Sequence, residues 1–595
     1  MLKIIYTVLC MIIIFTGLAY SNELSDHMTA GKEYIKEQNW SGAAEELSEA
    51  LKLDRNNIET KLYLGYAYQM MGKLDEAEKI YKEIVQAAPQ NFEAYYYLGK
   101  VYAAKKEYTL AENNYRQAIM IKPNTLDVYI SIGELYKLQG KPDWAEREYK
   151  RAIEIEPRSP KPYLELARIY MSTNQIKRSQ ETYKIVLDLE PQNWKAVEEY
   201  AWSLFKGGDL QGALTQYERA SQLNPMSPTL YFNLGSIYDY RGDKQKAIEY
   251  YRKSLSLNQN MVQARENLIK CYEGLNMTDK SLEEYVKATE NNPRNPQAFL
   301  ELARAYIKYG EEEKSIAPLK QSISINPSYF ESYRLLINIY RDKGYMEDAI
   351  RICERALKVD PNNASFYKIL GDLYYQKKDN TSSIDYYEKA IKINPKDVDY
   401  YINLGDTYKQ QMLFKEALGA YDRGLKINSQ SSELIRRKGE IYLENKDYEM
   451  AKDFLKRSLS LDKKSARTRL SLGRLYMEIK DYPAAFKELD EGQKLDENNI
   501  EILSLLGYCY YKMGNWEEAI KIEEYVVNQS PSYPQANYYL GLAYGKSPKY
   551  KNKSHAQLTL ALEYTISALA SAGPLQQKKL AELSEEINHR LKGLH

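Results

Sequence analysis

The chain has 595 residues, of which 44% are hydrophobic and 28% charged, a composition that excludes a disordered or collagenous protein. Its 83 basic and 82 acidic residues nearly cancel. This removes a general electrostatic case for nucleic acid or a membrane surface, because phosphate binding draws on clustered Lys and Arg. Only four His and four Cys are present, so metal and nucleophile chemistry have little to work with.

Residues 1–21 read as a separate object. Lys3 is the only charge before Glu23, Ile4 to Tyr20 is mostly apolar, and Ala19 and Ser21 give the small-x-small exit of a secretory signal peptide. Cleavage is expected after Ser21. Retained as an anchor, the same run sits at the short edge of a membrane span. Cys10 makes no lipoprotein site, since the preceding Leu9 is too large. Cys271, Cys353 and Cys509 are an odd number at long spacings, which is no disulfide framework, and they are expected to be buried apolar thiols.

From Leu24 onward a 34-residue period runs through the chain. Tyrosine, with 57 copies against 10 Phe and 5 Trp, carries it: Tyr34, Tyr68, Tyr102, Tyr136 and Tyr170 continue to Tyr510 and Tyr544, with Leu204 standing in once. A small residue precedes each by three positions (Gly65, Gly99, Gly133), except for Ile269 and Ile337. Ala or Ser follows nine positions later, and Pro often follows at twenty-one, as in Pro89, Pro123 and Pro157. Each unit predicts two amphipathic helices with a short turn, for example Phe92 to Lys105 and Tyr108 to Ile121. Small residues suit close approach of helix axes, and each Tyr ring is expected to fill the wedge between helices with its hydroxyl on water or a backbone carbonyl. Proline ends the second helix. One pair cannot bury its stripe alone, so pairs must stack. Ile269, Ser281 and Ile337 predict looser packing mid-chain, and Ser429, Lys463 and Glu497 in place of Pro predict less firmly fixed turns.

Gly99, Tyr102, Ala111, Tyr115, Ala118 and Pro123, repeated as Gly133, Tyr136, Ala145, Tyr149, Ala152 and Pro157, closely resemble the tetratricopeptide repeat family. The register gives fifteen uninterrupted repeats over 24–533 and a sixteenth with an inserted basic loop at 545–554, so that a solenoid spans 24–573. Residues 574–595 are expected to form a C-terminal capping helix, with Leu580, Leu583, Ile587 and Leu591 at helical spacing. The resemblance implies an all-α, right-handed superhelical solenoid of stacked antiparallel helix pairs. It also implies a concave groove lined by the first helix of each pair.

Chemistry is nearly absent from the sequence. No His pair has zinc-protease spacing, no Cys-x-x-Cys exists, and Gly541 to Ser547 (GLAYGKS) is one residue short of a phosphate loop with no strand before it. No stretch outside the repeats is large enough for a catalytic domain, so no catalysis, cofactor or metal is expected. The family's groove positions are the second, fifth, ninth, twelfth and thirteenth of each repeat. Here they hold three aromatic groups: Tyr66, Met70 and Tyr96; Trp202, Phe205, Phe232 and Tyr240; and Tyr508, Tyr511 and Tyr538. Aromatics are the usual anchors of a peptide interface. The chaperone-tail clamp known in the family is rejected, because Lys368, Asp372, Asn403, Glu433 and Arg437 put two carboxylates where that ligand's own carboxylates would lie.

The expectation is therefore a secreted or periplasmic, non-catalytic scaffold that binds a protein or peptide in its groove. It would not bind nucleic acid, and would touch a membrane only if residues 1–21 are retained. The alternative is a membrane-anchored structural component of an export or surface-assembly machine, one handling a polysaccharide included, with its repeats outside the cytoplasm.

Overall fold

The structure is a computed structural model that describes residues 23–570 and 572–593. The expected signal segment and Cys10 lie outside the described residues. Those residues are helical with short turns and contain no strand. The fold class is all-α: a solenoid of stacked antiparallel helix pairs. The chain divides into two compact units at Glu284 and Tyr285, inside the second helix of repeat eight, which spans Thr278–Asn291.

Repeat three shows how the pattern builds a unit. Its first helix, Phe92–Ala104, starts at Asn91, whose side chain accepts a hydrogen bond from the Ala94 amide at 2.7 Å and so satisfies one of the open donors of the first turn. The chain then reverses through Lys106 at φ 63° into the second helix, Tyr108–Ile121. The same place in the other units carries Gly (Gly140, Gly208, Gly344) or an ordinary residue held at positive φ (Asn174, Lys378, Met412). The turn therefore demands a left-handed residue, and packing is strong enough to hold Lys or Met there.

The small residue of the first helix seats the ring of the second. A Cβ added at Gly99 would lie 2.6 Å from the Tyr115 ring, and one added at Gly133 would lie 2.5 Å from Tyr149. Tyr81, Tyr115, Tyr149, Tyr217 and Tyr251 are all buried in this slot. Repeat ten inverts the pair: Ile337 stands where glycine is usual, and Cys353 replaces the ring, both fully buried. This corrects the expectation of looser packing there, because the large and small partners have exchanged sides and the volume is filled. Ile269 is likewise buried.

The periodic tyrosines also differ from expectation. Tyr102, Tyr136 and Tyr170 donate their hydroxyls to the carboxylates of Glu78, Glu112 and Glu146 on the second helix of the preceding repeat, at 3.1, 2.5 and 2.9 Å. Each is thus an inter-repeat tie to a charged acceptor, stronger than a bond to a neutral carbonyl or water. Repeats twelve to fourteen lack the usual proline, yet their second helices end at the same register, at Ile427, Leu461 and Leu495. In repeats twelve and thirteen Asn428 and Asp462 accept from the amides of Gln430 and Lys464, at 3.2 and 3.1 Å, the same turn that Asn394 makes beside Pro395, so the turn keeps its form without proline.

The sixteenth pair is Pro534–Lys546 and Lys551–Leu569. The connection between them is residues 547–550, so part of the inserted segment lengthens the second helix to 19 residues instead of forming loop. A last helix, Pro574–Lys592, follows. Cys271, Cys353 and Cys509 are free and buried, and burial pushes the Cys271 and Cys509 thiols up to about 12. Among the described residues, no helix is long and apolar enough to cross a membrane.

Candidate functional site

In the first unit, the first helix of repeat six, Trp194–Lys206, replaces the periodic Tyr by Leu204, which is buried. Trp202 and Phe205 lie one turn apart on this helix. Trp202 is 45% exposed and stacks on Phe205 with ring centroids 5.5 Å apart. Tyr240, 72% exposed at the end of Pro228–Tyr240, meets Phe205 edge-on at 5.7 Å. The Lys206 ammonium lies 4.8 Å from the indole centroid. Phe232 is not part of this group; it packs inward against Tyr251 at 6.0 Å.

Beside the indole is a cavity of about 830 Å³, lined by Arg168, Met171, Glu198, Glu199, Trp202 and Asn233 among others. Arg168 grips Glu199 through two hydrogen bonds of 2.8 and 2.6 Å, and Tyr183 donates to the same carboxylate at 3.0 Å. Glu198 accepts from Asn233 at 3.2 Å, and burial, with Glu199 adjacent, raises its carboxyl above the usual range. The site is an exposed aromatic shelf beside two carboxylates, Glu198 and Glu199, each bonded within the repeats. It contains no nucleophile–base pair, and among the described residues no group of three or more His, Cys, Asp and Glu is placed to hold a metal.

The Tyr66 group is broader than expected. Tyr66 contacts Trp40 edge-on at 5.9 Å and Tyr97 at 5.8 Å, and Tyr97 joins it to Tyr96 at 5.5 Å. Lys100 sits 4.7 Å above Tyr96. Met70 is exposed at the end of its helix. Trp40 and Tyr97 were missed because neither falls on a groove position of the repeat. The signal for Tyr97 is the Tyr95–Tyr96–Tyr97 run, which presents rings on adjacent helical faces; Trp40, at the start of a second helix, has none.

The third group is occupied. In the second unit, Tyr508 stacks on Tyr511 at 5.9 Å and on Tyr539 at 4.1 Å, but Tyr538 is 1% exposed and donates to Glu586 of the last helix at 2.7 Å. The clamp positions are also self-paired: Lys368 with Asp372 at 2.7 Å, Arg437 with Asp406 and Glu433, and Asn403 reaching Asp372. GLAYGKS lies largely within Pro534–Lys546, at a helix C-terminus where the backbone offers carbonyls to a phosphate instead of amides.

Sequence comparisons agree with the repeat fold. Family profiles described as tetratricopeptide repeat match residues 34–101, 138–199, 228–261 and 332–365, and one described as TPR repeat matches 99–140, 203–239 and 371–411. A profile described as anaphase-promoting complex, cyclosome, subunit 3 matches 444–526. The chain belongs to the tetratricopeptide repeat family, and its fold is that of a protein-interaction scaffold.

Similar solved structures include a tetratricopeptide repeat protein from Parabacteroides merdae, 20% identical over 42% of this chain and 98% of that one, with a TM-score of 0.33. The Cut9–Hcn1 hetero-tetramer of the APC/C is 15% identical over 78% and 96%, with a TM-score of 0.34. Yeast Tom70 is 16% identical over 77% and 99%, with a TM-score of 0.36. No curated protein matches the chain in sequence.

Proposed function

We propose that the protein is a non-catalytic scaffold of the exported or envelope compartment that binds a protein or peptide segment on the groove side of its repeats. The observation that carries this reading is the shelf of Trp202, Phe205 and Tyr240. Three large rings stay together with Trp202 and Tyr240 solvent-accessible, whereas the rings of the Tyr81, Tyr115 and Tyr149 slot are buried in the stack. Tryptophan and tyrosine give large contact area for little lost side-chain freedom, and a nearby cavity supplies a pocket for a partner side chain. Several repeats presenting weak contacts side by side gain strength through effective concentration.

The test is a photo-crosslinking residue at Tyr240 in living cells, with a matched one at Leu223 as the off-shelf control. A defined partner should be captured through position 240 and lost in Trp202→Ala/Phe205→Ala, with helicity unchanged by circular dichroism. Equal capture from both positions, or capture indifferent to the double substitution, would overturn the groove as the binding face. Intact mass of the purified protein checks the compartment. Loss of residues 1–21 is expected, whereas a chain starting at Met1 in the membrane pellet would move the reading to the anchored structural component.

A further inference from the structure

The last helix, Pro574–Lys592, does not simply close the end of the stack. It lies along the first helices of the later repeats of the second unit, entering beside repeat twelve and ending against repeats fifteen and sixteen. It approaches Val398–Gln410 of repeat twelve, pairs Lys579 with Glu444 of repeat thirteen, and sets Leu583, Ile587 and Leu591 against Tyr508, Tyr511 and Tyr538 of repeats fifteen and sixteen. At about 1.5 Å per residue its 19 residues span about 28 Å. Only one stripe is buried: Leu580 and Ile587 are covered, while Gln576, Lys578, Glu582, Glu585 and Asn588 are exposed. This is the pattern of an amphipathic helix laid in a groove.

The fit is uneven. Around Ile587 the seat is tight: Ile587 is 0% exposed, and Glu586 accepts from Tyr538 at 2.7 Å. Around Leu575 to Glu582 a solvent-open cleft of about 640 Å³ lies between the helix and Arg474, Glu478, Glu501 and Tyr539, although Leu580 within that stretch is buried. The helix is therefore firmly seated at one end and only partly in contact at the other, which makes it easier to displace than one packed along its whole length. The preceding helix ends at Leu569 and this one begins at Pro574, directly after Gly573.

We propose that Pro574–Lys592 is an intramolecular ligand, and that the groove it covers accepts an amphipathic helix of a partner protein by displacing it. The incoming helix would carry Leu or Ile at the places of Leu583, Ile587 and Leu591, an acidic residue opposite Tyr538, and bulkier side chains toward Arg474 and Glu501. The tethered helix competes at an effective concentration of order mM, so a free helix binds only weakly until the plug is loosened. This rests on the reading that the groove side is a binding surface, but it concerns repeats twelve to sixteen and not the Trp202 shelf. Failure here leaves the shelf untouched, and failure of the shelf leaves this seat untouched.

The test uses the full chain and a labelled synthetic peptide of residues 574–593, read by fluorescence anisotropy. The peptide should bind Leu583→Asp/Ile587→Asp at least tenfold more tightly than the unaltered chain, and Tyr538→Phe/Tyr508→Ala added to that variant should abolish the gain. A second route keeps the helix sequence intact: a protease site placed within 570–573, cut and diluted, should open the seat to the peptide in the same way. Equal binding to plugged and unplugged chains, or none to either, overturns the proposal. Loss of helicity in both the substituted and the cut proteins would make the helix a structural cap and also overturn it. A concentration-dependent dimer of the unaltered chain that exchanges this helix between copies would overturn the intramolecular assignment.

Discussion

The ring slot between the two helices of a repeat shows how much one hydroxyl matters. Tyr149 and Tyr387 occupy equivalent places, against Gly133 and Gly371, and both are buried. The Tyr387 hydroxyl donates to Asp372 at 2.8 Å, whereas the Tyr149 hydroxyl finds no partner among the described groups. A buried polar group without a partner costs stability, and one bonded to a carboxylate contributes it. Tyr387→Phe should therefore lower stability by about 1–2 kcal/mol, and Tyr149→Phe should leave it unchanged or raise it by up to about 1 kcal/mol. Urea midpoints of the two variants check this; an equal loss in both would mean that ring packing alone sets the slot's contribution.

At the scale of an element, the second helix of repeat fifteen, Trp516–Gln529, puts a carboxylate in that ring slot. Glu523 lies under Gly507, is 0% exposed, and has Ser504 as its hydrogen-bond donor, at 3.1 and 3.3 Å. Burial raises its carboxyl well above the ordinary 4.5, an effect that the Ser504 bond only partly opposes. Below pH 4.5 the group is protonated in both the folded and unfolded chain, so its contribution to stability is fully present there. As pH rises above 4.5 the unfolded chain ionises while the folded one keeps its proton, and that stability is lost up to the folded pKa. Glu523→Gln should match the parent near pH 4 and melt at a higher temperature at pH 7; a gap independent of pH would show that the carboxyl is not the cause. Helices of this kind were legible because a strict period of 34 residues marks every turn and every buried stripe. The exchange of Ile337 with Cys353 and the placing of Glu523 were not, since periodicity says which face is buried but not which partner fills the space across from it.

For the whole molecule, the same limit decides what could be foreseen of the site. Trp202 and Phe205 stood out because their repeat breaks the tyrosine pattern, whereas covering of Tyr538 by Glu586 joins residues 48 apart, across segments that share no repeat. Among the described residues, the other extensive helix contacts join the next helix in the chain or the next but one; the approach of Pro574–Lys592 to Val398–Gln410 and its pairing with Glu444 depart from that rule. Such a ladder stores its stability in units and nearest-neighbour interfaces, so damage should remain local. Gly133→Val tests this in the first unit. The first Cβ would already press on the Tyr149 ring at 2.5 Å, and overpacking of that kind costs about 1–3 kcal/mol. Amide exchange should speed up across repeats three to five, from Phe92–Ala104 to Ile176–Leu189, and stay unchanged in Ala364–Gln376 and Val398–Gln410 of the other unit. Uniform acceleration through both units would mean that the array unfolds all at once. The plug on the second unit could then not be released without loosening the shelf on the first, and the two binding faces would have to act as one.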